Sequence, residues 1–464
     1  MKLKFFGAAQ TVTGSRIQFE HHHFKGLVDC GLFQGPRELR DLNWSSQPEL
    51  LQSKCVIVTH AHIDHSGYLP KLYRDGFRGP VYCSKPTKDL LKVMLLDSAK
   101  LQEEDSRYAN ESRYSSHDPA LPLYTTQDAL GALTLLREIP WNTWTEINSG
   151  LSVRLIRSGH ILGSSYVQLS YTAQEESRLL TFTGDLGGGK SDVLRDPEVL
   201  LETDFLVTES TYGHRAFSRT ELPLQLAQVV KEVIGRGGTL VIPAFAVGRT
   251  QDLLLMLQQL KSKKQIPNVP VYLDSPMAHE VTAVYLSHLD ELKASETQKE
   301  LEEALARAIF RPVLSPDESM LLCMSDEPKI VISASGMLQG GRVLHHLKAK
   351  LPDPKSGVLF VGFQASGTKG RLLKEGIPRI RIHHKNIDVE AQIYSLEGLS
   401  AHADANELLA WMKRLRRPPR KTLVNHGEIE ASMALKFNLE KDLGWPSVDV
   451  PAMGDVIDLD QVAL

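Results

Sequence analysis

Cysteine is scarce in this sequence. Cys30, Cys55, Cys83 and Cys323 are the only four in 464 residues, and no two form a C-x-x-C pair. That usage argues against a disulfide scaffold and against a thiolate zinc site, and it fits a reducing, cytoplasmic setting. Net charge is equally sparse: 53 Lys plus Arg against 56 Asp plus Glu leaves −3. The overall basic excess common in nucleic-acid-binding chains is missing. A local basic groove on a neutral body is still compatible with that total. No apolar run approaches the ~20 residues needed to span a bilayer, so no membrane partner is expected. The opening MKLKFFGAAQTVTGS has no long apolar region of the signal-peptide kind. Internal repeats and low-complexity linkers are also lacking.

What is present is the mix of an ordinary globular protein, 42% apolar and 23% charged. Such a length predicts two or three domains with a core that needs no staples. Short Gly-punctuated strand patterns open the chain: LKFFGA, SRIQFE, GLVDCG and CVIVTH. His21-His22-His23 reads as a solvated hairpin turn. Helices are expected at Tyr68–Asp75, at Thr87–Tyr108 and over TQDALGALTLLREI, and then strands return up to DFLVTES. After Tyr212 strand and helix alternate, the pattern of βαβ units on a parallel sheet. That stretch includes expected helices at Leu222–Gly235, Met277–Leu292 and Glu296–Phe310. From about Val389 the β-rich character returns with VEAQIYSLEG, a helix at Asn406–Leu415, and KTLVNHGE. The simplest organisation is a β-rich domain interrupted by an inserted α/β domain. The basic run KRLRRPPRK (413–421) reads by default as a solvated helix end, with a phosphate-facing patch as the minority alternative.

The strongest local signal is VTHAHIDHSG, which puts His60, His62, Asp64 and His65 directly after an apolar strand. Imidazole and carboxylate are the ligands zinc takes when thiolates are absent. A loop at a strand end can aim such side chains at one spot. A polar turn that merely contains histidines is the competing reading. Three further groups follow strands in the same β-rich region: His160 in SGHILGS, Asp185 in TFTGDL and His426 in LVNHGE. Each alone is weak. Together they make seven candidate ligands, which suits two metal ions with one carboxylate bridging.

H-x-H-x-D-H followed by separate His, Asp and His resembles the metallo-β-lactamase fold. IPAFAVGRTQDLL, DSPMA, SASGM and GTKGR in the inserted domain, with TESTYG and LSAHAD, closely resemble the β-CASP ribonucleases. These include the endonuclease subunit of the eukaryotic cleavage and polyadenylation machinery and its free-standing prokaryotic relatives. The resemblance covers essentially the whole chain, in the family's motif order. It implies an α/β class, a metallo-β-lactamase αββα sandwich of residues 1–210 and 389–464. A β-CASP domain, 211–388, is inserted with a mainly parallel sheet.

The same resemblance implies the roles. His60, His62 and His160 would hold one zinc, Asp64, His65 and His426 another, and Asp185 would bridge them, giving two Zn2+ per chain. Asp29 in LVDCG matches a carboxylate that orients a ligand histidine. Asp64, Glu209 and His402 are the catalytic set beyond the bridging group, with His402 the general acid and Glu209 its orienting carboxylate. The substrate it implies is RNA. Arg249, Ser335, Ser366, Lys369, Arg371 and Ser400 are candidate contacts, with Arg249 equally able to brace the helix it begins. The balance of endonuclease and 5′-to-3′ exonuclease activity, and homodimerisation, stay open.

One stretch competes with this reading. Gly184 to Ser191, GDLGGGKS, fits the phosphate loop G-x-x-x-x-G-K-[ST]. A phosphate loop must open a helix, whose amides cradle the phosphate. Here Asp192 and Pro197 follow too closely, and the stretch departs from the family's usual sequence after Asp185. No nucleotide cofactor is therefore expected. Another metallo-β-lactamase-fold hydrolase and a non-catalytic RNA-processing scaffold are the remaining alternatives.

Overall fold

The computed structural model describes residues 1–112, 118–173, 175–189, 191–218, 221–293, 310–338, 340–365 and 367–461. The chain forms two compact units. The first comprises Met1–Gly189, Asp196–Ala216 and His402–Leu464, the second Lys190–Arg195 and Phe217–Ala401.

Two seven-stranded sheets make the first unit. One contains β1 (Lys2–Gly7), β2 (Arg16–His21), β3 (Phe24–Val28), β4 (Cys55–Ile57), β5 (Val81–Cys83) and β6 (Leu136–Glu138), with β22 (Val456–Asp458) on the edge beside β1. The other runs in the order β21 (Val448–Asp449), β20 (Lys421–Val424), β11 (Phe205–Thr208), β10 (Glu176–Phe182), β9 (Ser165–Ala173), β8 (Leu151–Arg157), β7 (Thr145–Asn148). Strand alternation assigns each face its partner. Leu155, Val167, Val207 and Leu423 join Phe5, Phe19, Val28 and Ile57 of the opposite sheet in one core. Their immediate neighbours Ile156, Tyr166, Leu206 and Val424 turn the other way, onto Leu408, Trp411, Leu435 and Leu439 of the helices Ala405–Met412 and Ile429–Asp442. Sheet, sheet and helix therefore stack in that order.

The second unit is built on a six-stranded sheet, ordered β14 (Phe310–Pro312), β13 (Val271–Leu273), β15 (Lys329–Ser333), β12 (Thr239–Pro243), β16 (Gly357–Phe360), β19 (Gln392–Ser395). All its pairings are parallel. A two-stranded hairpin, β17 (Arg379–Ile382) and β18 (Lys385–Asp388), packs near it through Ile380 and Ile382.

Several local expectations differ from the structure. The strand in VEAQIYSLEG, read as a return to the β-rich domain, is β19, and it pairs with β16 of the second unit. By backbone packing the two compact units divide at 216/217 and 401/402, beside the expected domain bounds of 210/211 and 388/389. The helix expected over TQDALGALTLLREI spans only Thr126–Leu133. Thr134 Oγ1 donates to the Gly131 carbonyl at 2.7 Å, ending the helix, and Leu136–Glu138 then pairs with β5. The helix Pro316–Met324 was not anticipated, although its Ser315–Glu318 capping box is legible in SPDE. The expected helix at Glu296–Phe310 lies, except for Phe310, outside the described residues. The His22-His23 turn joins β2 to β3 as a hairpin, and the basic run ends a helix with Arg416 on Glu202 and Arg417 on Asp204.

Candidate metal centre

Six strand ends of the first unit converge. Asp29 follows β3, His60 and His62 follow β4, His160 follows β8, Asp185 follows β10, Glu209 follows β11 and His426 follows β20. Asp64 and His65 sit on the single turn Ile63–Ser66 just after the β4 loop. Gly31 lets that turn approach: a Cβ on it would stand 1.6 Å from the Asp64 carbonyl oxygen.

All seven expected ligands come together. The donor atoms of His60, His62, His160 and Asp185 lie within 4.8 Å of one another, and so do those of Asp64, His65 and His426. His60 Nε2 is 3.1 Å from His62 Nδ1, which is 3.2 Å from His160 Nε2; His65 Nε2 is 3.0 Å from His426 Nε2. Two donors about 2.1 Å from one tetrahedral zinc are roughly 3.4 Å apart, so these spacings fit a cation. Asp185 belongs to the first group and also forms a third with Glu209 and His426. Its Oδ2 is 3.4 Å from His60 and from His160, and its Oδ1 is 3.2 Å from His65 and 3.4 Å from His426.

Asp29 supports the cluster from behind. It accepts from His65 Nδ1 at 2.7 Å, from the Thr59 amide at 2.8 Å and from Ser15 Oγ at 3.2 Å. That contact fixes the His65 tautomer and directs Nε2 into the cluster. Thr59 Oγ1 is 3.0 Å from His60 Nδ1, and Thr211 Oγ1 is 3.3 Å from His426 Nδ1. Sequence reasoning missed these hydroxyls; Thr59, directly before His60, was the legible one. Asp29 and His426 both hold positive φ, 61° and 47°. Non-glycine residues kept in that region cluster at functional sites.

The protonation pattern divides the cluster. Burial presses His60 well below its ordinary pKa, helped by His65, and lowers His62 to about 4. Burial works against charge on His65 also, but Asp185 and Asp29 outweigh it and hold the group well above its usual value. A cation entering there would displace that proton. His402 sits beside the cluster, with Nε2 3.8 Å from Asp185 Oδ2 and Nδ1 3.0 Å from Glu209 Oε2. Glu209 also accepts from the Leu186 amide at 2.5 Å.

The expected RNA contacts all belong to the second unit. Arg249 is buried, pairs with Asp252 at 2.7 Å and donates to the Leu399 carbonyl, so it braces its helix. Arg371 pairs with Glu375 at 2.6 Å, Lys369 begins the helix Lys369–Lys374, and Ser400 is buried. Ser335 precedes the turn at Gly336, and Ser366 lies outside the described residues. In the phosphate-loop stretch, Lys190 is outside the described residues. No helix follows it: Ser191 donates to Asp252 and accepts from the amides of Val193 and Leu194 in an irregular segment. Among the described residues no helix is long and apolar enough to cross a membrane.

Two family models match the chain: the Beta-Casp domain over residues 250–373 and the Zn-dependent metallo-hydrolase RNA specificity domain over 386–450. The sequence is 36% identical to Ribonuclease TTHA0252 of Thermus thermophilus, covering 94% of this chain and 95% of that protein. It is 31% identical to an RNase J-like protein of Methanocaldococcus jannaschii, covering 98% and 99%. Transcription termination factor FttA of the same organism is 33% identical, over 92% of this chain and 67% of that protein. A solved protein of unknown function from Enterococcus faecalis V583 shares the fold, with a TM-score of 0.51 at 14% identity over 98% of this chain and 99% of that one.

Proposed function

This chain belongs to the β-CASP family of metallo-β-lactamase-fold metal-dependent hydrolases, and on that premise we propose that it is a zinc-dependent ribonuclease acting at the His/Asp cluster. His60, His62 and His160 would hold one zinc, Asp64, His65 and His426 a second, with Asp185 common to both. Zinc bound there supplies positive charge for the phosphodiester and acidifies water so that hydroxide is available near neutral pH.

The chain's own groups do the rest. Asp29 keeps His65 in one tautomer and one orientation. Hydrolysis forms a P–O bond from water and breaks the bond from phosphorus to the 3′-oxygen, which leaves needing a proton. His402 supplies that proton from Nε2, while Glu209 holds Nδ1 and keeps the ring cationic. Products then carry a 5′-phosphate and a 3′-hydroxyl. The observation that carries this reading is the His402–Glu209 pair beside the cluster, because bare metal binding needs no proton donor. The names of the relatives, a ribonuclease and an RNase J-like protein, support RNA as substrate. The irregular segment after Asp185 supports a mechanism without a nucleotide cofactor.

Cleavage of end-labelled RNA by the zinc-loaded protein tests it, with a thioester and a lactone as comparison substrates. Products with 5′-phosphate and 3′-hydroxyl ends are expected. Cyclic 2′,3′-phosphate ends, or turnover only of the thioester or lactone, would overturn it.

A further inference from the structure

The hairpin β17–β18 of the second unit carries an unusual turn. Ile382 pairs with Lys385, so the loop between the strands is two residues long, His383-His384. Both have positive φ, 45° and 63°. Two-residue loops with both φ positive favour Asn-Gly, because side chains with a full Cβ strain there. This turn instead displays two exposed imidazoles. Such strain, where a chain keeps it, points toward function.

The charged groups that act on His383 share one sign. The His383 ring lies 4.7 Å, centroid to centroid, from the ring of His345 on the helix Val343–Lys350. The titratable groups acting on His383 are His345 and Lys348 of that helix, Lys369 of the helix Lys369–Lys374, and adjacent His384. The hairpin adds Arg381 and Lys385. Its Asp388 is engaged by Arg379 at 2.6 Å, and Glu375, capping the second helix beside Lys374, is engaged by Arg371. Lys350 of the first helix is occupied by Asp326. His345 also feels Asp274, which His346, Arg342 and Ser319 already hold. Partial burial, then these neighbouring cations, lower both His383 and His345 below the ordinary imidazole value.

We propose that the His383-His384 turn, with His345, Lys348 and Lys369, is a binding site for the phosphodiester backbone of single-stranded RNA, in the unit that does not hold the metal cluster. It rests on the ribonuclease reading above. An open set of exposed imidazoles beside the half-buried Lys348 and Lys369 suits a polyanion that makes several weak contacts better than one enclosed small anion. Imidazole faces can also stack on unpaired bases. Burial and the neighbouring cations disfavour the charged forms of His383 and His345 in the free protein, so each phosphate that docks beside them draws protons in. Affinity is therefore proton-linked and strengthens as pH falls from 8 to 6.

The test is binding of a fluorescein-labelled phosphorothioate RNA of about 20 nucleotides, which resists hydrolysis and keeps its charge. The full-length zinc-loaded protein is used at pH 6 and pH 8 at fixed ionic strength. The variant His383→Asn/His384→Gly places the favoured residues in the turn, so it should melt no lower than the parent. The parent should bind about 5–10-fold tighter at pH 6 than at pH 8. The variant should lose most of that gain and show a salt slope shallower by roughly 0.7 for each phosphate it no longer neutralises. His345→Gln, at an exposed helix position, should lose about 2–3-fold at pH 6. Equal affinities of parent and Asn-Gly variant at pH 6, or a pH dependence that survives in the variant, would overturn the site. A parent that binds this RNA yet cuts no ordinary RNA would instead overturn the ribonuclease reading and leave the binding comparison to decide the site.

Discussion

His402 presents Nδ1 to the Glu209 carboxylate, 3.0 Å from Oε2 and 3.2 Å from Oε1, which leaves Nε2 facing the Asp185 side of the cluster. The ring is thereby both aimed and charged: although burial opposes it, Glu209 and then Asp185 raise its pKa to about 9. His402→Ala should lower RNA cleavage by roughly 10²–10⁴, the usual worth of general acid catalysis. Both zincs should stay, because His402 is not among the seven ligands. The defect should shrink on a nitrophenyl phosphodiester, whose leaving group needs no proton. Zinc content and rates on both substrates measure this. Loss of a zinc, or equal losses on the two substrates, would remove His402 from the acid role.

Glu209→Gln should act through the same ring. Removing the carboxylate takes away the largest contribution that raises the His402 pKa. A proton donor with a lowered pKa is lost at a lower pH, so the alkaline limb of kcat/KM should move down by roughly one to three units. The acidic limb should stay in place. A pH–rate profile for parent and variant decides; an unmoved alkaline limb would separate Glu209 from the acid.

Asp185→Asn tests the shared carboxylate. Asn keeps the size but loses the charge that sets Oδ1 against His65 and His426 and Oδ2 against His60 and His160. The parent should carry close to two zincs per chain by elemental analysis. The variant should lose metal and activity together. Asp29→Asn, one step removed, should weaken metal affinity by about 10–100-fold without abolishing it.

How much of this was legible depends on how locally each signal is written. His60, His62, Asp64 and His65 share six residues after a strand, so their spacing alone marks a site. His160, Asp185 and His426 stand alone in sequence, and only their strand-end positions and the family motifs assembled them. Ser15 was not seen, because a hydroxyl that props a carboxylate has no spacing of its own, and Thr59 was passed over although it directly precedes His60. The four-residue strand β19 was misplaced because half-exposed residues at that length carry no period that names a sheet. The His383-His384 turn was missed for a different reason: a His-His pair is a far weaker turn signal than Asn-Gly, although His does tolerate positive φ.

Lys190→Ala should leave RNA cleavage nearly unchanged, and the protein should show no ATP hydrolysis. Gly187, behind Asp185, serves the metal site. A Cβ on Gly187 would stand 2.1 Å from the Gly159 carbonyl, next to His160. Micromolar ATP binding that vanishes with Lys190→Ala would revive the phosphate loop.

Gly31→Ala should damage the metal centre without touching a ligand. The new Cβ would fall 1.6 Å from the Asp64 carbonyl oxygen and 2.7 Å from the His65 amide. Both contacts are backbone, so no side chain can rotate away, and the single turn Ile63–Ser66 must shift. That turn is tied to its surroundings: the Ser15 amide donates to the Asp64 carbonyl at 2.8 Å and the Cys30 amide to the His65 carbonyl at 2.7 Å. A shift therefore strains these bonds and moves Asp64 and His65 away from His426 together. His60, His62 and His160 are positioned by β4 and β8 and should hold their places. The expected outcome is a folded protein that retains about one zinc, with cleavage lowered by more than 10²-fold, the scale on which a misplacement of about 1 Å counts. Elemental analysis beside circular dichroism checks it. Two zincs and full activity would show that the turn tolerates displacement.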